Sequence, residues 1–330
     1  MTFSEADDGR LLAGRYRLDT PLGRGGMGTV WRATDELLDR GVAVKELRFP
    51  PEISAAERSV LKERTKREAR AAARLSHPGV VTVLDVVDAE DRPWIVMELV
   101  PSRSLAQVVE EDGPLPYRRV AEIGLRLLAA LGVAHAAGVI HRDVKPGNVL
   151  LGDNGRVVLT DFGLAVLEGD PSLTQSGMII GSPAYMAPER ARGGVVSPAS
   201  DLWSLGATLY TAVEGRPPYD RKGSMAVLTA ALFDDPDPSE HAGPLRPLLE
   251  DLLRRDPPAR PGIGDAARRL RHILLTPEPR PAADPAQTVA LPSSDQTQTL
   301  STTSDQATAP QGPKRLGAVL AGWFGLRRPH

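Results

Sequence analysis

Within HRDVKPGN, residues 141–148, an aspartate, a lysine and an asparagine stand at positions 143, 145 and 148. An aspartate can take a proton from a hydroxyl, and a lysine can hold negative charge on a group in transfer. A second aspartate, Asp161, opens DFG at 161–163, after the hairpin-like run GDNGRVVLT. Asn148 and Asp161 together supply oxygen ligands for a hard cation such as Mg²⁺ bridging phosphates. Asp143 is then left to act as base, and Lys145 to neutralise the transferring group. Lysine placement is informative here, because among 40 Lys plus Arg, lysine occurs only at 45, 62, 66, 145, 222 and 314. A solvated polar turn accounts for any one of these residues but not for their joint order.

A glycine cluster lies upstream in LGRGGMGTV, Leu22 to Val30, where Gly23, Gly25 and Gly28 form G-x-G-x-x-G. Glycine lets a backbone turn tightly and approach a phosphate without side-chain clash. A ligand-free hairpin turn has the same pattern. A dinucleotide fold needs a helix directly after the glycines, yet TVWRATDE reads as a strand. A Walker loop needs Gly-Lys-Ser/Thr, which is missing. Next, Val42-Ala43-Val44-Lys45 sets a lysine among apolar neighbours at a strand end. A buried ammonium facing phosphate fits that setting and requires a carboxylate partner. The helix that follows offers Glu57, Glu63 and Glu68, and spacing alone leaves all three open.

The elements that must position these residues fall into two groups. YRLDTPLG, GTVWRATDE, GVAVKEL, VVTVLDVVDAE and WIVMELV read as strands. One helix interrupts them, within SAAERSVLKERTKREARAAARLS, preceded by Pro50-Pro51 and stopped by Ser76-His77-Pro78-Gly79. After residue 101 the chain turns mostly helical, with apolar residues at helical spacing in YRRVAEIGLRLLAALGVAHAAG, SDLWSLGATLYTAVEG and LRPLLEDLLRR. The class is therefore α+β, a small mostly β lobe (16–100) before a larger mostly α lobe (101–274). A cleft between such lobes is a usual ligand site.

Composition narrows the function further. With 41% hydrophobic and 25% charged residues, 330 residues can bury a core and stay soluble. A net charge of -2 gives no electrostatic reason to expect nucleic acid as a partner. The absence of cysteine excludes disulfides, thiolate metal sites and a thiol nucleophile. The polar leader, residues 1–15, lacks the features of a signal peptide, and no run of ~18 apolar residues offers a membrane span. From Pro277 the chain is dominated by Pro, Thr, Ser, Gln and Asp. Residues 275–315 therefore read as disordered, ahead of a short amphipathic segment, 316–326, and a basic end, 327–330.

Taken in order, these motifs resemble the protein kinases of the eukaryotic-like (Hanks-type) serine/threonine class found in bacteria. The resemblance covers residues 16–274 and implies the two-lobed kinase fold. GRGGMGTV resembles the phosphate-covering loop and VAVK the strand whose lysine holds the α/β-phosphates. Glu68 falls where the helix partner of Lys45 is expected. HRDVKPGN resembles the catalytic loop, with Asp143 as base and Asn148 on metal, and DFG the second metal position. APE at 187–189 resembles the end of the activation segment, with Asp201 and Arg260 as structural anchors, Arg260 pairing with Glu189. The implied substrate is ATP, with Mg²⁺ or Mn²⁺, and the implied nucleotide contacts are Leu22, Gly23, Arg24, Gly25, Gly26, Met27, Gly28, Thr29, Val30, Ala43, Lys45, Met97, Glu98, Val100 and Leu150. Lys145 is the cation of kinases that phosphorylate protein serine and threonine.

The resemblance also implies regulation. Arg142 would receive a phosphate from the activation segment, with Thr174 and then Ser176 as the acceptors. A pseudokinase scaffold is the alternative, but it predicts loss of Lys45, Asp143 or Asp161. Thr288, Thr297 and Thr302 have the spacing of ligands for phosphothreonine-binding FHA domains. Leu316, Val319, Leu320, Trp323 and Phe324 share one helical face. As a helix, 316–326 would span ~16 Å, against ~30 Å of hydrocarbon. It fits a peripheral contact at the inner membrane face of a cytoplasmic protein, or docking on its own kinase domain. A homodimer through the small lobe is the family's analogy.

Overall fold

The computed structural model describes residues 9–25, 28–49, 53–162 and 182–277. Gly26, Met27, Thr174, Ser176, the tail threonines and 316–326 lie outside the described residues. The described residues belong to one compact unit, Met1–Glu278.

The first half builds a six-stranded antiparallel sheet. Its strands are β1 (Leu11–Leu12), β2 (Tyr16–Gly25), β3 (Gly28–Asp35), β4 (Arg40–Glu46), β5 (Val83–Ala89) and β6 (Arg92–Glu98), in the order β1-β2-β3-β4-β6-β5. Leu18, Ala33, Val42, Val44 and Val96 are buried on one face, as period-2 alternation requires. Irregular register between Leu18 and Thr20, and again between Pro21 and Gly23, bends β2 as it approaches the glycine turn. Gly28 must be glycine: its φ is 140°, and a Cβ there would stand 2.0 Å from the Glu46 carbonyl oxygen. Gly23 and Gly25 have nothing within 4 Å of an added Cβ, so packing does not require them.

Helix α1 (Ala55–Ala72) interrupts the sheet between β4 and β5. Its N-terminus carries a capping box, in which Ser54 and Glu57 each accept from the other's backbone N–H. Only Leu61, Thr65, Ala69 and Ala72 are buried, a narrow stripe of mostly small side chains. Lys62 and Lys66 grip Asp88 of β5, each at 2.8 Å. The helix thus rests on the sheet through little apolar surface and a few ion pairs.

The second half is helical. It contains α2 (Leu105–Asp112), α3 (Tyr117–Ala136), α4 (Pro188–Ala191), α5 (Pro198–Glu214), α6 (Ser224–Phe233), α7 (Arg246–Leu252) and α8 (Ile263–Leu275). A three-stranded sheet, β7 (Ser102–Ser104), β8 (Val149–Gly152) and β9 (Val157–Leu159), runs in that order along the boundary with the first half. Helix α5 is buried from Ser200 to Val213 and forms the spine of this half. It begins at Ser197 with Pro198 in its first turn and ends at Gly215, which takes the left-handed φ of 75°. Gly206 lets α7 pack close, since a Cβ would fall 2.8 Å from Leu252 Cβ. Among the described residues no helix is long and apolar enough to cross a membrane.

Candidate active site

The HRDVKPGN loop is held from below by α5. Asp201, in the first turn of α5, is 1% exposed. Its Oδ2 accepts from the His141 N–H and its Oδ1 from the Arg142 N–H, both at 2.8 Å. His135, at the end of α3, meets the same carboxylate at 2.8 Å. These bonds support Arg142 in a left-handed conformation (φ 72°), which is strained for a side chain of its size. His141 is fully buried. Its Nδ1 accepts from the Asp143 N–H at 3.2 Å, its Nε2 meets the Thr160 carbonyl at 2.8 Å, and its ring packs edge-on to Phe162. Burial lowers the His141 pKa below the ordinary 6.5, so the ring is neutral.

Two side chains meet at Asp143. The Lys145 ammonium lies 2.7 Å from Oδ2, and the Asn148 amide nitrogen donates to the same oxygen and to the Asp143 carbonyl, both at 2.8 Å. Asp143 also borders the cleft, where its carboxylate can accept a substrate proton. With its nitrogen engaged, Asn148 has its amide oxygen for a cation. Asp161 follows β9 with a left-handed φ of 69°. Its Oδ2 lies 2.8 Å from the Lys45 ammonium, which is 6% exposed. Burial would raise the Asp161 carboxyl, but neighbouring positive charge, Lys45 foremost, holds it below the ordinary aspartate range. Among the described residues no three His, Cys, Asp or Glu cluster as a self-sufficient metal site. Asn148 and Asp161 fit Mg²⁺, which is held by one or two protein groups and completed by phosphate and water.

A cleft of about 780 Å³ joins these parts. Gly23, Gly25 and Gly28 line it above, Asp143, Asn148 and Asp161 line it below, and Met97 to Val100 form the strip between the halves. Leu22, Arg24, Val30, Ala43, Lys45, Lys145 and Leu150 also face it. Thr29, expected with them, is 2% exposed and does not line the cleft. Met97 is buried opposite Ala43 in the β4–β6 register. A smaller cavity, about 510 Å³, lies between Tyr210, Asp237, Leu249 and Arg254 and holds none of these residues.

The expected catalytic ion pair is corrected as well. Glu68 does not pair with Lys45. Its Oε1 accepts from Arg142 Nη1 at 2.9 Å and lies 3.6 Å from Arg64 Nε, while Oε2 is buried without a hydrogen-bond partner. Lys45 satisfies its charge with Asp161 instead. The other two carboxylates of the helix are occupied, Glu57 by the Ser54 cap and Glu63 by Lys66. Arg142, expected to await a phosphate, is thus committed to Glu68.

The Glu189–Arg260 pair forms as expected. The guanidinium donates to both carboxylate oxygens, at 2.9 and 2.8 Å, and Ser200 adds a bond at 2.8 Å. The Arg260 side chain is fully buried and stacks over Trp203, so removing either partner leaves a buried charge. The roles of His135 and Thr160 were not read from the sequence, because a lone histidine at a helix end carries no motif.

The protein kinase domain family matches residues 16–272. Serine/threonine-protein kinase PknA of Mycobacterium tuberculosis is 39% identical over 302 residues, covering 86% of this chain and 69% of that protein. PknA of Corynebacterium glutamicum is 36% identical over 327 residues, covering 95% of this chain and 69% of its own length. A probable serine/threonine-protein kinase of Corynebacterium efficiens, CE0033, is 37% identical over 287 residues, with 85% and 40% covered. The chain belongs to the protein kinase family, and within it to the bacterial eukaryotic-like serine/threonine kinases.

Proposed function

We propose that the chain transfers the γ-phosphoryl group of Mg-ATP to serine and threonine hydroxyls of proteins, with Asp143 as the base. The observation that carries this reading is the Asp143–Lys145–Asn148 cluster facing Lys45 and Asp161 across one cleft. The substrate hydroxyl oxygen forms a bond to the γ-phosphorus while the bond to the β–γ bridging oxygen breaks, and ADP leaves. Asp143 accepts the hydroxyl proton. Lys145, 2.7 Å from Asp143, stabilises charge on the phosphoryl oxygens in transfer. Lys45 holds the nucleotide phosphates, and the glycine turn covers them with backbone N–H groups. Asn148 and Asp161 would hold Mg²⁺, or Mn²⁺, which neutralises phosphate charge when bound.

The Glu68–Arg142 pair describes a resting arrangement. A phosphate on Thr174 or Ser176 adds a charge of about -1.5 to -2 and competes for Arg142. Glu68 is then released toward Lys45, and Asp161 toward the cation. Autophosphorylation thereby raises activity. The narrow apolar stripe of α1 makes this movement inexpensive.

The test is incubation of the purified protein with Mg-ATP and mapping of phosphosites, beside Asp143→Asn. Phosphate on Thr174 or Ser176 in the wild type alone is expected. Phosphate at tail threonines Thr288, Thr297 or Thr302 would add an FHA-domain docking role. Wild type that binds ATP without phosphorylating itself or a protein substrate would contradict the reading.

A further inference from the structure

Arg156 stands at the tip of the β8–β9 hairpin, whose two roots carry Asn148 and Asp161. Its guanidinium gathers groups from distant parts of the chain. Nη1 and Nη2 donate to the two oxygens of Glu98 at 3.0 and 2.9 Å, and Nε donates to the Pro78 carbonyl at 2.9 Å. Glu98 ends β6 and begins the strip between the two halves. Its Oε1 also accepts from the Thr82 N–H at 3.0 Å and the Thr82 hydroxyl at 3.2 Å. Pro78 lies in the turn that leads away from α1. The same turn is stitched to β9, since the Leu159 N–H donates to the Gly79 carbonyl at 2.8 Å and the Val81 N–H to the Leu159 carbonyl at 3.0 Å.

A bidentate arginine–carboxylate pair is directional, unlike a loose surface ion pair. This one is half-buried, with side-chain exposures of 31% and 25%. Burial would raise the Glu98 carboxyl, but Arg156 and Thr82 more than offset it and keep Glu98 ionised. Arg156 itself does not line the cleft.

We propose that Arg156 is a positioning residue for nucleotide binding, tying the Glu98 strip and the turn after α1 to the hairpin that carries Asn148 and Asp161. The proposal rests on the reading of the cleft as the Mg-ATP site. A nucleotide must reach the Glu98–Val100 strip with its base and the Asn148–Asp161 side with its phosphates. The clasp fixes the distance between those two regions before binding, so the ligand does not bear the cost of ordering them. The groups that perform the transfer are untouched by it. Loss of the clasp therefore weakens ATP binding without slowing the bound complex.

The experiment uses the full chain and Mg-ATP, with Kd from titration, KM for ATP, kcat, and KM for a protein substrate. Arg156→Ala is expected to raise Kd and KM for ATP about fivefold to tenfold while kcat and the protein KM stay within about twofold. Arg156→Lys restores only part, because an ammonium cannot form the fork. Glu98→Gln weakens binding similarly, and the double variant is no worse than the worse single one, as a shared contact requires. An Arg156→Ala protein that melts normally and binds ATP within about twofold of wild type overturns the proposal, by the same measure. Additive losses, a loss confined to kcat, or a variant that is faster or tighter overturn it equally. If Arg156→Ala does not fold, full recovery or no loss in Arg156→Lys is the overturning result. Wild type that binds no Mg-ATP overturns the site reading together with this proposal, whereas normal wild-type binding beside an unaffected variant overturns the clasp alone.

Discussion

Around Asp201 three hydrogen bonds close on one buried carboxylate, while Glu68 of α1 has one arginine hydrogen bond and a buried oxygen without a partner. The two regions do different work. The loop bearing Asp143 is supported by the backbone and by a core helix buried from Ser200 to Val213. Helix α1 rests on Leu61, Thr65, Ala69 and Ala72 and on the lysine grip at Asp88. In the proposed activation, the chemistry that stays in place rests on the first support, and the element that shifts rests on the second. Arg142 joins them, since its backbone is fixed by Asp201 and its side chain holds Glu68.

Removing charged groups from the cleft has the largest expected effect. Lys45→Met and Asp161→Ala each lower phosphoryl transfer by at least about 10³-fold, read as single-turnover rate, because each removes charge stabilisation from a largely buried site. Substantial activity in both would break the role assignments. Asp201→Ala comes next. It leaves two buried N–H groups and a histidine without their acceptor, and it should cost about 3–5 kcal/mol in denaturant unfolding. A loss below about 1 kcal/mol would show that the loop holds itself and would remove the contrast with α1.

Glu68→Gln probes the movable side. It should lower kcat of the autophosphorylated protein by about tenfold, and it should matter far less before phosphorylation. Equal effects in both states would mean that Glu68 does not exchange partners. Thr174→Ala should reduce activity without abolishing it, with Ser176 as the remaining acceptor, read by rate and phosphopeptide mapping.

The fixed region also has a pH signature. Folded His141 has a pKa below 6.5, whereas unfolded it titrates near 6.5. Below that pH the unfolded chain takes up a proton that the folded chain refuses, so stability present above pH 6.5 is lost as pH falls. Melting temperature should fall from pH 7 to pH 5.5, and His141→Gln should flatten that slope. Asp161 and Glu189 are depressed carboxylates, so their contribution is lost only at lower pH, below their ordinary 3.8 and 4.5. The smallest effect belongs to α1: Ser54→Ala removes the cap and costs about 1 kcal/mol.

Much of the fixed region was legible in the sequence. HRDVKPGN, DFG, APE and Arg260 are local or ordered motifs, and the structure brings Asp143, Lys145, Asn148, Asp161 and Lys45 to one cleft. The strands showed their apolar alternation and Gly28 its necessity as a pattern, although the reason, the Glu46 carbonyl, was not visible. The movable region was less legible. Spacing left Glu57, Glu63 and Glu68 equivalent, and only packing shows that two are spent on a cap and a lysine. The Glu68–Arg142 and Glu98–Arg156 pairs join residues far apart in the chain through directions that periodicity does not encode. Thr29 lies within the glycine motif yet turns into the packing, because alternation along β3 sends it away from the cleft.

The most direct measurement is phosphoryl transfer from Mg-ATP to a protein substrate by wild type and Asp143→Asn, with nucleotide binding followed in the same samples. Wild type is expected to transfer phosphate to serine or threonine. Asp143→Asn is expected to lose about 10²–10⁴-fold in transfer, with ATP affinity nearly unchanged, because the base does not hold the nucleotide. Nucleotide binding without transfer in both proteins would contradict the account and leave a scaffold in its place.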